Sequence, residues 1–397
     1  METNKLIYLD HAATTSVKPE VLDAMLPYFT EKYGNPSSIY SLGRENKKAI
    51  DDAREKVANS LGAQPKEIFF TSGGTEADNW ALEGVAFANM AKGKHIITSN
   101  IEHHAILHTC KFLEKQGFEI TYVPVDKYGI VHVEDIDKAI RPDTILISIM
   151  FANNEIGTIQ PIKEIGALAK KKGIYFHTDA VQAIGNVHID VKDMNIDLLS
   201  LSAHKFYGPK GVGVLYIRDG VRINSFMNGG AQERGRRAST ENVASIVGLG
   251  KAIEIANNNI DEYNLKLTKL RDKAIKEILK QIPYSRLNGD QVQRLPGNVN
   301  ISFEFIEGES ILLMLDMKGI CASSGSACTS GSLDPSHVLL AIGLPHEIAH
   351  GSLRLTFGEE NTDSDLNYLL ETLPPIIEKL RAMSPLYESF TKNGRIQ

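Results

Sequence analysis

Three polar segments contain residue types that could do chemistry together, and each follows a short apolar run. In the segment Thr71–Asn79, Gly73 and Gly74 precede a helical pattern, and the unpaired N–H groups and positive dipole at a helix start bind phosphate. Asp179 follows a second apolar run, and Lys205 follows a third, 26 residues later. A lysine at a buried strand end is costly unless it is paired or functional, and desolvation makes its amine a nucleophile that can form a Schiff base.

Taken separately, these segments also fit ordinary structural roles. The glycines could form a strand–helix turn capped by Thr75, Asp179 could cap a loop, and His204 could be a half-buried histidine. Neither a Walker pattern nor a G-x-G-x-x-G occurs, so nothing indicates that the ligand is a nucleotide. Taken together, the segments supply a phosphate cradle, a carboxylate for a ring nitrogen and an amine for an aldehyde, which are the three anchors of pyridoxal phosphate.

The spacing of apolar residues predicts that a mostly parallel sheet positions these segments. Between about residues 16 and 213, helical patterns alternate with short β-branched runs. Continuous apolar strands separated by helices are typical of a buried parallel sheet, whose ligands lie beyond the carboxyl ends of the strands. The seven predicted strands are 68–71, 95–98, 120–123, 145–150, 174–177, 198–201 and 213–217.

After residue 230 the pattern changes, which predicts a second structural unit. We predict a large cofactor-binding domain over residues 16–255 and a small α+β domain formed by residues 1–15 and 256–397. One long amphipathic helix over about 246–278 should connect them, and Pro374-Pro375 should break or kink the last helix. The other predicted elements of the small domain are a strand at 298–303, a helix at 309–316, a strand at 352–357 and a helix at 363–382.

The overall composition is that of an ordinary globular protein. The 43 basic and 49 acidic residues give a net charge of −6, and nucleic-acid binding would need a concentrated basic surface. The longest apolar run, near 144–151, is too short to span a membrane, and the first eight residues lack the features of a signal peptide. Because three cysteines are too few for a disulfide framework, we expect a cytoplasmic protein.

The last cysteine, Cys328, lies in a segment without large apolar side chains. Residues 323–332 contain only Ser, Gly, Ala, Cys and Thr, so little burial can offset the roughly 1–2 kcal/mol that ordering each residue costs. This composition predicts a mobile loop, on which Cys328 is either an incidental thiol or a nucleophile that moves between two sites. Cys110 and Cys321 fit core positions on a helix and a strand, and we expect no metal site.

A series of motifs runs along nearly the whole chain: Tyr8–Thr15, Gly34–Ser38, Thr71–Asn79, Glu102–His103, Asn153–Gly157, His177–Gln182, His204–Lys205, Gln232–Arg237 and Ser323–Ser330. In this order the motifs resemble those of the NifS/IscS-like cysteine desulfurases, pyridoxal-phosphate enzymes of the aminotransferase class V group. The resemblance implies an α/β protein of the type I aminotransferase fold, a homodimer, and pyridoxal 5'-phosphate as the cofactor.

The resemblance also implies roles for the residues that match the family's catalytic motifs. Lys205 matches the lysine that forms the internal aldimine, and His103 matches the imidazole that stacks on the cofactor ring and takes part in proton transfer. Asp179 matches the partner of the ring nitrogen, and Gln182 matches the donor to the ring hydroxyl oxygen. Cys328 matches the nucleophile that accepts sulfur.

Further matches concern the phosphate and the substrate. Asn154 and Arg354 match the residues that hold the substrate carboxylate, and Asn154 also matches a cofactor contact. Close relatives often have glycine where this chain has Ser239, which adds a side chain beside the phosphate. The residues that match the phosphate contacts are Gly74, Thr75, Ser202, His204 and, reaching in from the second subunit, Thr240.

The activity implied by the resemblance is that of a cysteine desulfurase, which converts L-cysteine to L-alanine and leaves the sulfur on Cys328 as a persulfide. A sulfur-acceptor protein such as an iron–sulfur scaffold would receive it, and neither nucleic acid nor a membrane is an expected partner. Two alternatives stay open: another class V enzyme, such as an aminotransferase or a selenocysteine lyase, and a non-catalytic cofactor-binding protein. The joint presence of Lys205, His103, Arg354 and Cys328 argues against the second.

Overall fold

The computed structural model of the protein describes residues 6–324 and 335–393, and its centre is a seven-stranded sheet. The strands in chain order are β1 (Ile7–Tyr8), β2 (Ile68–Thr71), β3 (His95–Ser99), β4 (Glu119–Val123), β5 (Thr144–Ser148), β6 (Tyr175–Asp179), β7 (Leu198–Ser202), β8 (Gly213–Ile217), β9 (Ser285–Leu287), β10 (Asn298–Phe303), β11 (Ile320–Cys321) and β12 (Ser352–Thr356). The order in the central sheet is β2-β8-β7-β6-β5-β3-β4. Strand β8 runs antiparallel to the other six strands, which are parallel to one another. The predicted mostly parallel sheet and its seven strands are confirmed.

Helices pack on both faces of this sheet, because successive side chains of a strand point to opposite sides. Ile68 and Phe70 of β2 belong to one apolar cluster, whereas Phe69 between them belongs to another, which also contains Trp80. No helix in the described ranges is long and apolar enough to cross a membrane. The helices are α1 (Pro19–Met25), α2 (Pro27–Thr30), α3 (Ser41–Leu61), α4 (Gly74–Asn89), α5 (His104–Lys115), α6 (Val133–Ala139), α7 (Ile162–Lys172), α8 (Gln232–Gly235), α9 (Val243–Asn258), α10 (Ile260–Gln281), α11 (Gly308–Asp316), α12 (His337–Ala341), α13 (His346–His350), α14 (Asp363–Ala382) and α15 (Pro385–Asn393).

A second, smaller core forms around β9, β10 and β12, which pair antiparallel in the order β12-β10-β9. Apolar residues of α10, α11 and α14 pack with this sheet, and Leu9 from the N-terminal segment joins the same cluster. Strand β1 pairs parallel with β11, which ties the N-terminal segment to this unit. The division into domains at residues 16 and 255 stays a prediction, and the separate apolar cores support it.

The long helix predicted over residues 246–278 is wrong, because the structure contains two helices there. Helix α9 ends at Asn258 and α10 begins at Ile260. At Asn259 the backbone leaves the helical region (φ −112°, ψ 9°), and the side-chain amide shares the carbonyl oxygen of Ile255, at 2.8 Å, with the backbone N–H of the same residue at 3.2 Å. Asparagine side chains compete in this way with the helical backbone, and the apolar spacing of three and four residues does not register such a break.

Of the break or kink predicted at Pro374-Pro375, the break is wrong, because α14 continues through both prolines. The helix begins with a reciprocal cap, in which Thr362 accepts from the backbone of Asp365 and Asp365 accepts from the backbone of Thr362. Its apolar residues Leu373 and Ile377, on either side of the prolines, are fully buried in the smaller core. We infer that this packing offsets the roughly 3 kcal/mol that an interior proline costs.

Candidate active site

A cavity of about 370 Å³ lies at the edge of the central sheet where β6 and β7 end. Side chains from several chain segments meet there, as expected for the carboxyl edge of a parallel sheet. The predicted site residues that line it are Gly74, Thr75, His103, Asn154, Asp179, Gln182, Ser202, His204, Lys205 and Arg354. The structure therefore places these residues together, while the role of each stays a prediction.

The start of α4 forms one wall of the cavity and has the backbone geometry of an anion cradle. Gly73 has φ +158° and ψ −178°, a conformation that side-chain-bearing residues rarely adopt. A Cβ on Gly74 would lie 2.7 Å from a methyl carbon of Val181, so only glycine fits there. The Cβ of Ser202 lies 3.6 Å from the same position. Because Gly74 and Thr75 line the cavity, an anion bound there would meet the N–H groups of this helix start.

Lys205 enters the cavity from a short 3-10 turn, Ala203–Lys205, that directly follows β7. Its Nζ donates to the carbonyl oxygens of Ala12 at 2.6 Å and Ala13 at 2.8 Å. The N-terminal segment thus closes the cavity around the amine. His204 beside it contacts the hydroxyl of Thr14 at 3.1 Å, and burial together with the charge of Lys205 lowers its pKa to about 4.

Asp179 is buried at the end of β6, with one oxygen accepting from the backbone N–H of Val181 at 2.9 Å. Burial raises the pKa of Asp179 to about 6, against the opposing effects of that hydrogen bond and of Lys205. A cationic partner stabilises the ionised form of such a buried carboxyl group. Gln182 lies one turn further on, and its side-chain amide donates to the carbonyl of Ala12 at 2.9 Å.

His103 precedes α5 and caps it: Nδ1 accepts from the backbone N–H of Ala105 at 3.1 Å. Because Nδ1 accepts, the proton of the neutral ring is on Nε2. Burial, followed by the charge of Lys205 and neighbouring imidazoles, lowers the pKa of His103 to about 4. The ring is therefore neutral at physiological pH and can exchange a proton with a reacting group.

Arg354 lies on β12 and is 2% exposed. Its Nη2 donates to Asp10 at 2.8 Å and its Nη1 to the carbonyl oxygen of Asn154 at 3.1 Å. Its Nε has no hydrogen-bond partner among the described residues, although it is buried. A buried guanidinium with an unused donor can bind a carboxylate that enters the cavity.

Known proteins with similar sequences identify the family. The chain matches the aminotransferase class-V family over residues 7–369. It belongs to this family. A cysteine desulfurase IscS of Clostridium botulinum strain Hall is 65% identical over 392 residues, which cover 98% of this chain and 99% of that protein. A cysteine desulfurase IscS of Methanosarcina thermophila is 66% identical over 383 residues, or 96% of this chain and 95% of that protein.

Solved structures give the same result for the fold. A NifS-like protein superposes with a TM-score of 0.90 at 40% identity, covering 95% of this chain and 100% of that one. A NifS-like protein from Rickettsia africae superposes with a TM-score of 0.85 at 32% identity, covering 94% and 100%. The expected type I fold is therefore confirmed, and the similarities place this class-V chain among the cysteine desulfurases.

The cavity of this class-V chain fits pyridoxal phosphate, the cofactor that the family uses. Gly74 and Thr75 at the start of α4 line the cavity, and the unpaired N–H groups of a helix start can bind a phosphate there. Asp179 is buried where a protonated ring nitrogen would compensate its charge, and Nζ of Lys205 reaches into the same cavity. These three features match the three ends of the cofactor, which are its phosphate, its ring nitrogen and its aldehyde.

Cys328 and most of the predicted loop 323–332 lie outside the described residues, but the residues on both sides of the gap contact the cavity wall. Ser323 pairs with Arg354 through two backbone hydrogen bonds of 3.2 and 2.7 Å. On the other side, the hydroxyl of Ser336 donates to the carboxylate of Glu155, which lines the cavity. The segment that carries Cys328 therefore starts and ends at the cavity.

Thr240 is exposed and lies outside the described cavity lining, so this chain alone does not bring it to the site. The preceding Ser239 has φ +97°, in the left-handed region that favours glycine. Glycine would adopt this backbone conformation without strain. This fits the glycine that relatives of the family often have where this chain has Ser239.

Two carboxyl groups in the cavity wall were not predicted as site residues. Asp78 on α4 and Glu155 in the Asn153–Gly157 motif both line the cavity. Burial raises the pKa of Glu155 to about 7, whereas the Ser336 hydrogen bond and Arg354 lower it. Each lies within a motif that the sequence singles out, and their position in those motifs was the available signal.

Proposed function

We propose that the protein is a cysteine desulfurase that converts L-cysteine to L-alanine and transfers the sulfur to Cys328 as a persulfide. The observation that carries this proposal is the convergence of Lys205, Asp179, His103 and Arg354 on one cavity whose wall also holds both ends of the Cys328 segment. The similarity to cysteine desulfurases over 98% of the chain supports it.

The cofactor would be held by residues at three points of the cavity. The helix start at Gly74 and Thr75, with Ser202 and His204, would bind the phosphate, and Lys205 would bond to the aldehyde carbon. Asp179 would accept from the protonated ring nitrogen, and the amide of Gln182 would donate to the ring hydroxyl oxygen. When bound, pyridoxal phosphate supplies an electron sink for bonds at the substrate's α- and β-carbons.

The substrate would be oriented by its carboxylate. Arg354 would bind the carboxylate through its forked guanidinium, and Asp10 and the carbonyl of Asn154 hold that guanidinium in place. With the carboxylate fixed, the Nζ of Lys205 would take the proton from the α-carbon. Neutral His103 lies on the same cavity wall and would move a proton at the sulfur or nitrogen of the substrate.

Cys328 would complete the sulfur transfer. Its thiolate attacks the substrate sulfur, the carbon–sulfur bond breaks, and a sulfur–sulfur bond forms on the enzyme. The carbon skeleton takes up protons and leaves as alanine. The described residues on either side of Cys328 support this role, because Ser323 pairs with Arg354 and Ser336 donates to Glu155, both of which line the cavity.

Replacing Cys328 with Ala tests the proposal against a matched control, Cys321→Ala. The Cys328 variant should keep bound cofactor and lose persulfide formation, with alanine release falling to background, because no other thiol replaces the nucleophile. The Cys321 variant should retain activity, since Cys321 lies in β11 as a free cysteine. Normal alanine release by the Cys328 variant refutes the role of Cys328. Transamination of pyruvate or glutamate without sulfide would instead support an aminotransferase.

We further propose a cytoplasmic homodimer that passes its sulfur to an acceptor protein such as an iron–sulfur scaffold. An exposed apolar surface near α1 and α2 supports the dimer, because a lone soluble chain rarely exposes so many large apolar side chains together. Its residues are Leu22, Leu26, Phe29, Tyr33, Ile39 and Tyr40, which are 45–90% exposed. Sedimentation of the wild type and of a Phe29→Glu variant tests the dimer. A monomeric wild type contradicts it.

A further inference from the structure

Asp78 is a second carboxyl group in the cavity wall, and its environment differs from that of Asp179. It lies on α4, is 1% exposed, and its Oδ1 has no hydrogen-bond partner among the described residues. The basic group nearest to that oxygen is His177, whose Nε2 is 3.7 Å away. An ionised carboxylate in such a position would lack the donors that compensate a buried charge.

His177 does not provide that compensation. Its Nδ1 lies 2.9 Å from the hydroxyl of Ser148 and its Nε2 lies 3.0 Å from the hydroxyl of Ser200, so both ring nitrogens are occupied by neutral partners. Burial lowers the pKa of His177 to about 3. The imidazole beside Asp78 is therefore neutral at physiological pH.

The other groups that face Asp78 disfavour its ionised form. Burial raises the pKa of Asp78 well above its ordinary value, and the charges of Asp179 on β6 and Glu102 after β3 add to this effect. Only a hydrogen bond from Ser200 on β7 acts in the opposite direction. Lys205, one of the two cations that line the cavity in the described part of the chain, lowers the pKa of Asp179 instead.

We propose that Asp78 is a positioning residue that stays a neutral carboxylic acid in the holoenzyme, so that Asp179 is the sole carboxylate facing the cofactor's ring nitrogen. This inference rests on the proposed function, because Asp179 has that partner only if pyridoxal phosphate binds as described. A second carboxylate beside Asp179 would leave one buried negative charge without a cation. A neutral acid at Asp78 keeps the positive ring and Asp179 as a balanced pair.

Infrared spectroscopy of the holoenzyme at about pH 7.5 tests the protonation of Asp78 directly. The buried Glu102 and Glu155, with pKa values of about 8 and 7, are partly protonated at this pH, so carbon-13 labelling of the aspartates separates an aspartic acid band from theirs, and Asp179, with a pKa of about 6, is mostly ionised. The band should shift on labelling the aspartates with carbon-13, should disappear in Asp78→Asn and should persist in Glu102→Gln. Absence of a protonated aspartate band from the labelled wild type overturns the proposal, even if the variants do not fold.

A second readout concerns the effect of Asp78 on Asp179. If Asp78 is neutral, the isosteric Asp78→Asn change removes no charge, and the pH midpoint of cofactor affinity should stay within about 0.3 units of the wild type. If Asp78 is ionised, removing its charge should lower that midpoint by about one unit or more, which overturns the proposal. The Asp179→Asn variant tests the proposed function separately. If it leaves cofactor affinity unchanged, Asp179 does not pair with the ring nitrogen, whereas the infrared result on the protonation of Asp78 is unaffected.

Discussion

Lowering the pH from about 7 to about 5 should weaken the binding of pyridoxal phosphate to the apoprotein about tenfold, because Asp179 takes up a proton. The pKa of Asp179 is raised to about 6 by burial. The ionised fraction therefore falls from about 0.9 to about 0.1 over this range, and the apparent affinity falls with it. An aspartate with an ordinary pKa of about 3.9 would still be about 0.9 ionised at pH 5 and would show almost no change.

The sign of the effect follows from which form makes the bond. A raised pKa means that the carboxyl group carries its proton below about pH 6, and a neutral acid cannot pair with a positively charged ring nitrogen. Below this pH, each further unit should cost about a factor of ten in affinity. His204 near the phosphate contributes little, because its pKa of about 4 leaves it mostly neutral at pH 5.

Equilibrium dialysis of the apoprotein against pyridoxal phosphate, repeated across this pH range, measures the effect. The cofactor has titrating groups of its own, so the Asp179→Asn protein serves as the control under identical conditions. The ratio of the two dissociation constants isolates the carboxyl group and should change about tenfold between pH 7 and pH 5. A ratio that stays constant over the range refutes the assignment of Asp179 to the ring nitrogen.

Three further predictions concern stability and the phosphate cradle. Arg54→Met should lower the free energy of unfolding by about 3–5 kcal/mol, because it leaves Glu233 buried without its partner at 2.7 Å. The more exposed pair of Lys56 provides the control: Lys56→Met should cost less than about 1 kcal/mol in the same urea denaturation. Gly74→Ala should weaken cofactor binding by about 1–3 kcal/mol in dialysis, because the new Cβ would lie 2.7 Å from a valine methyl group. Ser239→Gly should raise the thermal midpoint by relieving about 1 kcal/mol of strain at φ +97°, and an unchanged or lower midpoint contradicts this.

The central sheet could be predicted because its strands are continuous apolar runs between helical patterns, which few other architectures produce. The break at Asn259 could not, since the apolar residues of α9 and α10 keep the same spacing across it although the backbone of this asparagine leaves the helical region. The passage of α14 through Pro374-Pro375 depends on burial of its apolar face by distant elements. Local propensity has no information on such packing.

In the candidate site, too, some contacts could be predicted from the sequence and others could not. Asp179 and Lys205 could be predicted to meet because strand ends of a parallel sheet share one edge. The contact between Arg354 and Asp10 joins residues 344 positions apart, and no local pattern predicts it. Asp78 lies within the Thr71–Asn79 motif, but the motif does not predict its burial beside His177, which depends on the assembled sheet.

In the protein without cofactor, the two hydrogen bonds from Lys205 to the carbonyl oxygens of Ala12 and Ala13 give this lysine a second role, which is to hold the N-terminal segment in place. Truncating it to alanine would strip two carbonyl groups of their donor as well as deleting the reactive amine. Loss of the cofactor's colour or of turnover in a Lys205→Ala protein would therefore have two causes, which are a less firmly held N-terminal segment and the absence of the reactive amine. A Lys205→Arg substitution separates the structural role from the chemical one. Its guanidinium can still donate to carbonyl oxygens but cannot bond covalently to the aldehyde.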